Sequence, residues 1–235
     1  MSDESYEPNW EKASYSQLNE AFYIRNKNLE IDKRRRVQFL SIDSKLINEQ
    51  IPSGESISAF FLTMALRQER EPDKSDFRPV LRVLIKGSEN HYDFPIEATT
   101  LKVSALALLS EKIVTLVERK GFMRDWTDYP HPDLYQVFMK NHVDPPILEG
   151  YYFSSTISSN FITFNMLIEN GRFKSGALDI YLGVKPQGLR NYYPYIFAPT
   201  FVLRPSSGIT SIIRWIKLVF GGVEYIHPCP TNCPD

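Results

Sequence analysis

The side chains that could do chemistry are few and sit in three places. At the C-terminal end, His227, Cys229 and Cys233 bring three soft ligands within seven residues. Zinc usually takes four such ligands, commonly as two paired clusters, and here a second cluster is missing. The alternative is a free, proline-stiffened tail over residues 227–235. In the middle, Asp125, Asp128 and Asp133 surround Trp126, Tyr129 and His131. A catalytic reading makes His131 a base oriented by Asp128, although no spacing rule supports it. The bland reading is a polar connector with stacked aromatics. Near the N-terminus, Lys33, Arg34, Arg35 and Arg36 form a basic tetrad preceded by Arg25 and Lys27. The tetrad suits contact with phosphates, on a nucleic acid or a lipid headgroup; the ordinary alternative is a solvated charge run diluted by Asp32 and Asp43.

No glycine-rich phosphate loop, nucleophile elbow, paired-histidine zinc helix or Cys-x-x-Cys redox pair occurs, so the sequence calls for no cofactor. Lys and Arg total 27 against 28 Asp and Glu, so a nucleic acid or anionic membrane would have to be met by a local patch rather than by bulk charge. The remaining candidate surface is aromatic: Tyr192, Tyr193, Tyr195 and Phe197, interleaved with prolines. Such rigid amphipathic rings at a sheet edge suit a protein interface.

The elements that must carry these residues read as one α+β domain over residues 15–226, following an acidic arm over residues 1–14 in which only Trp10 could anchor. Hydrophobic residues make up 43% of the 235, which is ample for a core. From Tyr15 to Gln50 there is neither Pro nor Gly, and the apolar spacing predicts one or two helices carrying the tetrad. Strands are expected over 56–68, 78–87 and 92–96, with a turn at Ser88-Glu89-Asn90. The clearest predicted helix spans 104–120, with Ser104 as its cap and Gly121 after it.

The run from Phe161 to Val184 predicts a hairpin, with Asn170-Gly171 as a type I′ turn and Glu169 facing Arg172. Its register puts Ile162, Phe164, Met166 and Ile168 on one face but Leu178, Ile180 and Leu182 on the other, a mismatch that a bulge at Gly176 would repair. Pro194 and Pro199 confine the 192–203 segment to a sheet edge. Residues 210–220 read as a further amphipathic helix or strand.

The order Pro146-Ile147-Leu148-Glu149-Gly150, then YYFSSTISSN, then the hairpin resembles the C-terminal half of rhabdovirus-type matrix proteins over residues 146–184. Tyr129-Pro130-His131-Pro132-Asp133-Leu134 resembles a Tyr-Pro-spacer-Leu budding motif, with Tyr129, Pro130 and Leu134 as partner-contact candidates. Phe94-Pro95-Ile96 resembles the start of another. The chain departs from that family in its acidic N-terminus, its lack of Pro-Pro-x-Tyr and its near-zero charge.

The resemblance implies a structural layer protein at the inner face of a virion. The residues by themselves favour a non-enzymatic assembly protein that self-associates and docks a protein partner. The alternatives are a nucleic-acid-associated accessory factor using the tetrad, and an enzyme without a short motif. Two cysteines at the very end point to a reducing, cytoplasmic setting. No apolar run reaches the ~18 residues of a membrane span, and the N-terminus has no leader pattern.

Overall fold

In the computed structural model the described residues are 10–99, 126, 137–138, 150–154, 164–165, 167–186, 195–197 and 199–204. They form an α+β structure that is mostly strand. Helices α1 (Tyr15–Ala21) and α2 (Ser44–Gln50) accompany strands β1 (Tyr23–Arg25), β2 (Ile31–Arg36), β3 (Phe39–Asp43), β4 (Ile57–Thr63), β5 (Val80–Ile85), β6 (His91–Pro95) and β7 (Ala98–Thr99). Then come β8 (Gly150–Ser154), β9 (Ile168–Glu169), β10 (Arg172–Phe173), β11 (Ala177–Tyr181), β12 (Val184–Pro186), β13 (Tyr195–Phe197) and β14 (Thr200–Arg204). Every pairing is antiparallel. Two four-stranded sheets, ordered β14-β11-β3-β7 and β6-β5-β4-β8, are accompanied by the two-stranded ladders β1-β2, β9-β10 and β12-β13.

The segment expected to be helical from Tyr15 to Gln50 is helical only at its ends. Ser14 starts α1 with a capping box, accepting from Gln17 N while its own N–H donates to the Gln17 side chain. Asp43 caps α2 by accepting from Lys45 N. Between them run three strands, because a turn forms without Gly or Pro. Asn26 Oδ1 accepts from Asn28 N and Glu30 N, and its backbone pairs with Glu30 and Leu29. An asparagine side chain thus supplies the reversal that the helical reading lacked. Strand β3 then becomes an inner strand, paired with β11 on one side and β7 on the other.

The β4-β5-β6 meander matches expectation. Val80, Leu81, Val83 and Ile85 are buried, and Gly87, with φ of 72°, sits in the turn to β6. Phe94 and Ile96 are buried, so that tripeptide is core rather than an exposed docking motif. Across β4 and β8, Phe60 stacks on Phe153 at 4.7 Å between centroids. Gly150 permits this pairing: a Cβ there would lie 2.2 Å from the Leu62 carbonyl oxygen.

The Asn170-Gly171 turn forms as read, with φ of 52° and 74° and with Glu169 opposite Arg172. The long hairpin does not. Its ladder is two pairs long, and Phe164, Asn165 and Leu167 before it are helical. Arg172 turns away to donate to the carbonyls of Asn48, Ile51 and Pro52, closing the end of α2, while Asn48 clamps both backbone groups of Phe173. Gly176, at φ 144°, exchanges hydrogen bonds with Ser44 and delivers β11 to the other sheet, between β3 and β14. The face mismatch is resolved by changing sheets instead of by a bulge. Beyond β13 the chain breaks at Pro199, and β14 is an edge strand among the described residues.

The core is strongly aromatic. Trp10, Phe22, Phe77, Trp126, Phe138 and Phe197 are all buried, with Phe22 stacked on Phe138 at 5.2 Å and Trp10 edge-on to Phe138 at 5.1 Å. Trp10 is therefore an anchor, at 0% exposure. The predicted helix 104–120, the 210–220 segment and residues 1–9 lie outside the described residues.

Candidate interaction surface

The basic residues divide on one ribbon. Strands β1 and β2 pair with Tyr23 opposite Arg36 and Arg25 opposite Ile31, so the tetrad lies on a strand and not on a helix. Arg25 and Arg36, both read from sequence as contact residues, are buried at 3% and 8% exposure. Arg25 makes a two-pronged pair with Asp76, its Nε 2.8 Å from Oδ1, and donates to the Leu29 carbonyl at 2.7 Å. Asp76 raises the Arg25 pKa above its ordinary value, chiefly through that hydrogen bond. Arg36 donates through Nε and Nη2 to the Tyr23 hydroxyl and through Nη1 to the Trp126 carbonyl, and its guanidinium carbon lies 5.2 Å and 5.8 Å from the two ring centroids. Trp126 Nε1 in turn donates to Val37 O at 2.8 Å.

Lys27, Lys33 and Arg34 are the opposite case. All three are exposed, and among the described residues none of these side chains makes an ion pair or hydrogen bond. Asp32 Oδ1 accepts from Arg34 N at 3.0 Å, a local turn that breaks strict alternation and leaves both Lys33 and Arg34 outside. Arg35 is half-exposed and pairs with Asp73 at 3.1 Å. At the ribbon tip between Lys27 and Lys33 stands Leu29, 39% exposed with φ of 65°. A left-handed backbone costs a leucine about 1 kcal/mol or more. The Arg25 side chain and the Asn26 turn hold it there.

Behind the ribbon lies a charge network that the sequence did not announce, because its members come from separate stretches. Arg67 binds Glu71 and Glu97, Lys74 reaches both at 3.0 and 3.7 Å, and Arg70 approaches Asp76 at 3.9 Å. Arg78 Nε is 3.0 Å from Glu97, close enough for an ion pair but not aligned for a hydrogen bond. The Lys74 hydrogen bond leads in lowering the Glu71 pKa. With Arg25 and Arg35 the network holds six cations against four carboxylates, so it adds positive charge beside the ribbon. The visible trace is the alternating-charge run from Gln68 to Arg78.

The aromatic surface fares differently. Phe197 is buried at 2% exposure, 4.9 Å from Phe138 and 5.3 Å from Trp126, and its carbonyl accepts from Tyr151 Oη at 2.7 Å. It is a core residue, not an interface one. Tyr195 is in β13, while Tyr192 and Tyr193 lie outside the described residues. So do Asp128, Tyr129, Pro130, His131 and Leu134, and so do His227, Cys229 and Cys233.

Among the described residues no group of three or more His, Cys, Asp or Glu could hold a metal ion, and no helix is long and apolar enough to cross a membrane. No protein-family profile, no curated protein and no solved structure matches this chain.

Proposed function

We propose that this chain is a non-enzymatic assembly protein, matrix-like in kind, that works by docking through its surfaces, with the β1-β2 ribbon as its contact to an anionic partner. The observation that supports this reading is the unpaired set Lys27, Lys33 and Arg34 around exposed Leu29, carried on a ribbon that Arg25 and Arg36 fasten to the core. A fixed ribbon loses little conformational freedom on binding, so its cations act at low entropic cost. Each contributes about 1 kcal/mol near an anionic surface.

The test is the solution mass of the purified chain by light scattering, alone and with anionic liposomes, at low and high salt. Assembly predicts concentration-dependent oligomers that sediment with the liposomes, and loss of sedimentation in the triple Lys27→Ser, Lys33→Ser, Arg34→Ser variant with oligomers retained. A monomer that ignores the liposomes at low salt overturns it. The same ribbon supports a second reading, a nucleic-acid accessory factor. Three phosphate contacts would give log affinity for single-stranded RNA a slope of about −2 against log salt. RNA binding with that slope and no oligomers would favour the accessory factor.

A further inference from the structure

A cavity of about 530 Å³ lies between the start of β4 and the Asn170-Gly171 turn and shares no residue with the ribbon. Its volume falls within the ~300–1,000 Å³ of small-molecule sites. We propose that it binds an apolar monocarboxylate, with the carboxylate at the rim and the hydrocarbon body on the cavity floor.

Three backbone features build the rim. Lys86 N donates to Ser56 O at 2.8 Å, and Ile57 N donates to Gly171 O at 2.9 Å, which ties the ends of β4 and β5 to the hairpin turn. Gly171, at φ 74°, packs so closely that a Cβ would meet Ser56 Oγ at 2.5 Å. The register shift between Ile57 and Ala59 opens the strand, and Ser58 Oγ closes the irregularity by donating to Leu84 O at 3.2 Å. Bulges of this kind open a sheet where ligands approach.

The rim then gathers unengaged polar groups of one character. Lys86 is an exposed cation with no ion pair, and neither the Ser56 hydroxyl nor the Asn170 side-chain amide has a hydrogen-bond partner among the described residues. An ammonium-bearing residue, a hydroxyl donor and an amide donor thus line the same cavity, and together they make the donor set a carboxylate accepts from. Below them, Ile57, Phe164 and Ile168 are buried apolar walls.

The surrounding charges set the ligand's valence. Glu55 adjoins Ser56 and accepts from the Tyr92 hydroxyl at 3.4 Å, while Arg172 is engaged with the carbonyls at the end of α2 and Lys174 donates to the carbonyl of Asn165 at 2.8 Å. With Glu55 nearby and Lys86 as the unpaired cation, a monoanion is better tolerated than a dianion.

The experiment is a titration of the full chain with octanoate, octyl phosphate and 1-octanol, followed by backbone and side-chain amide NMR signals. Octanoate should shift Ser56, Lys86, Asn170 and Gly171 together. It should bind more tightly than octyl phosphate, and 1-octanol should bind at least tenfold more weakly. Lys86→Gln, at an exposed site, should weaken octanoate about tenfold and leave 1-octanol unchanged, the loss expected for one charge-assisted hydrogen bond. Asn170→Gly preserves the turn and should weaken octanoate by a smaller factor. Absence of shifts at the four positions, an unchanged octanoate affinity in Lys86→Gln, or 1-octanol binding as tightly as octanoate would overturn the assignment. The triple ribbon variant should bind octanoate normally, so failure of this site and failure of the ribbon are read separately.

Discussion

Arg36 and Arg34 are two residues apart on one strand and have opposite roles. Arg36 is sealed between Tyr23 and Trp126, whereas Arg34 stands in solvent with nothing to hold. Arg25 and Lys27 repeat the contrast between the end of β1 and the turn that follows it. A cation's contribution is therefore set by what waits in its direction, not by the run it belongs to. Inward arginines need partners already in place, because a charge in the interior without one costs several kcal/mol. Outward cations need none, so they can be present without affecting the fold and remain available to another molecule. The ribbon combines both: the buried pair fixes the geometry in which the exposed set is displayed.

The largest effect should come from removing the partner of an inward arginine. Asp76→Ala leaves the Arg25 guanidinium buried with only the Leu29 carbonyl, and we expect a loss of about 3 kcal/mol in urea unfolding. Because Arg25 N also pairs with Lys74 O, and Asp73 N with Arg25 O, the ribbon should loosen with it, visible as faster amide exchange at Arg25 and Asp73. A midpoint unchanged within error would show that Arg25 is solvated in solution and would erase the contrast with Lys27. Tyr23→Phe is a milder form of the same test. It removes the hydroxyl that receives Arg36 Nε and Nη2 while leaving the ring beneath the guanidinium, and should cost about 1–2 kcal/mol.

A third test carries the inside-outside distinction to a neutral group. Tyr151 is fully buried, and burial pushes its phenol well above the ordinary tyrosine value. A raised folded pKa means that the neutral form is favoured in the fold. Its contribution is complete below the unfolded pKa of ~10 and is lost as pH rises beyond that toward the folded value, at about 1.4 kcal/mol per pH unit. Unfolding free energy measured from pH 9 to 11 should fall more steeply in the wild type than in Tyr151→Phe. At pH 8 the variant should be only about 1 kcal/mol less stable, from loss of the bond to Phe197 O. Parallel curves would show that the phenol is reached by water.

These contrasts also explain what could be read from the chain. The β5-β6 meander and the Asn170-Gly171 turn were legible because their determinants are local: dense apolar residues, and two adjacent positions that tolerate φ > 0. The β1-β2 ribbon was not. Its reversal uses an asparagine side chain and a leucine in a left-handed conformation, which no propensity rule assigns to leucine. The inward turn of Arg25 and Arg36 depends on Asp76, 51 residues away, and on Trp126, 90 residues away. Phe197 sits in a tyrosine-rich stretch that reads as one amphipathic surface, and only its packing on Phe138 and Trp126 takes it out of that set.

The smallest expected change in stability is the most informative about function. Lys33→Ser with Arg34→Ser removes two exposed side chains without partners, so unfolding should move by no more than about 0.5 kcal/mol. Arg36→Met, by contrast, removes a cation and its buried hydrogen bonds together and should lower the midpoint clearly. The first variant removes two charges and the second removes one from the same ribbon, so bulk electrostatics alone predicts that Arg36→Met loses about half as much binding free energy to anionic liposomes or RNA as the double variant. The divided ribbon predicts otherwise: the outward pair loses binding and keeps its fold, while Arg36→Met keeps binding at temperatures where it remains folded. If folded Arg36→Met loses binding in proportion to its one missing charge, net charge governs the contact and the geometry of the ribbon does not.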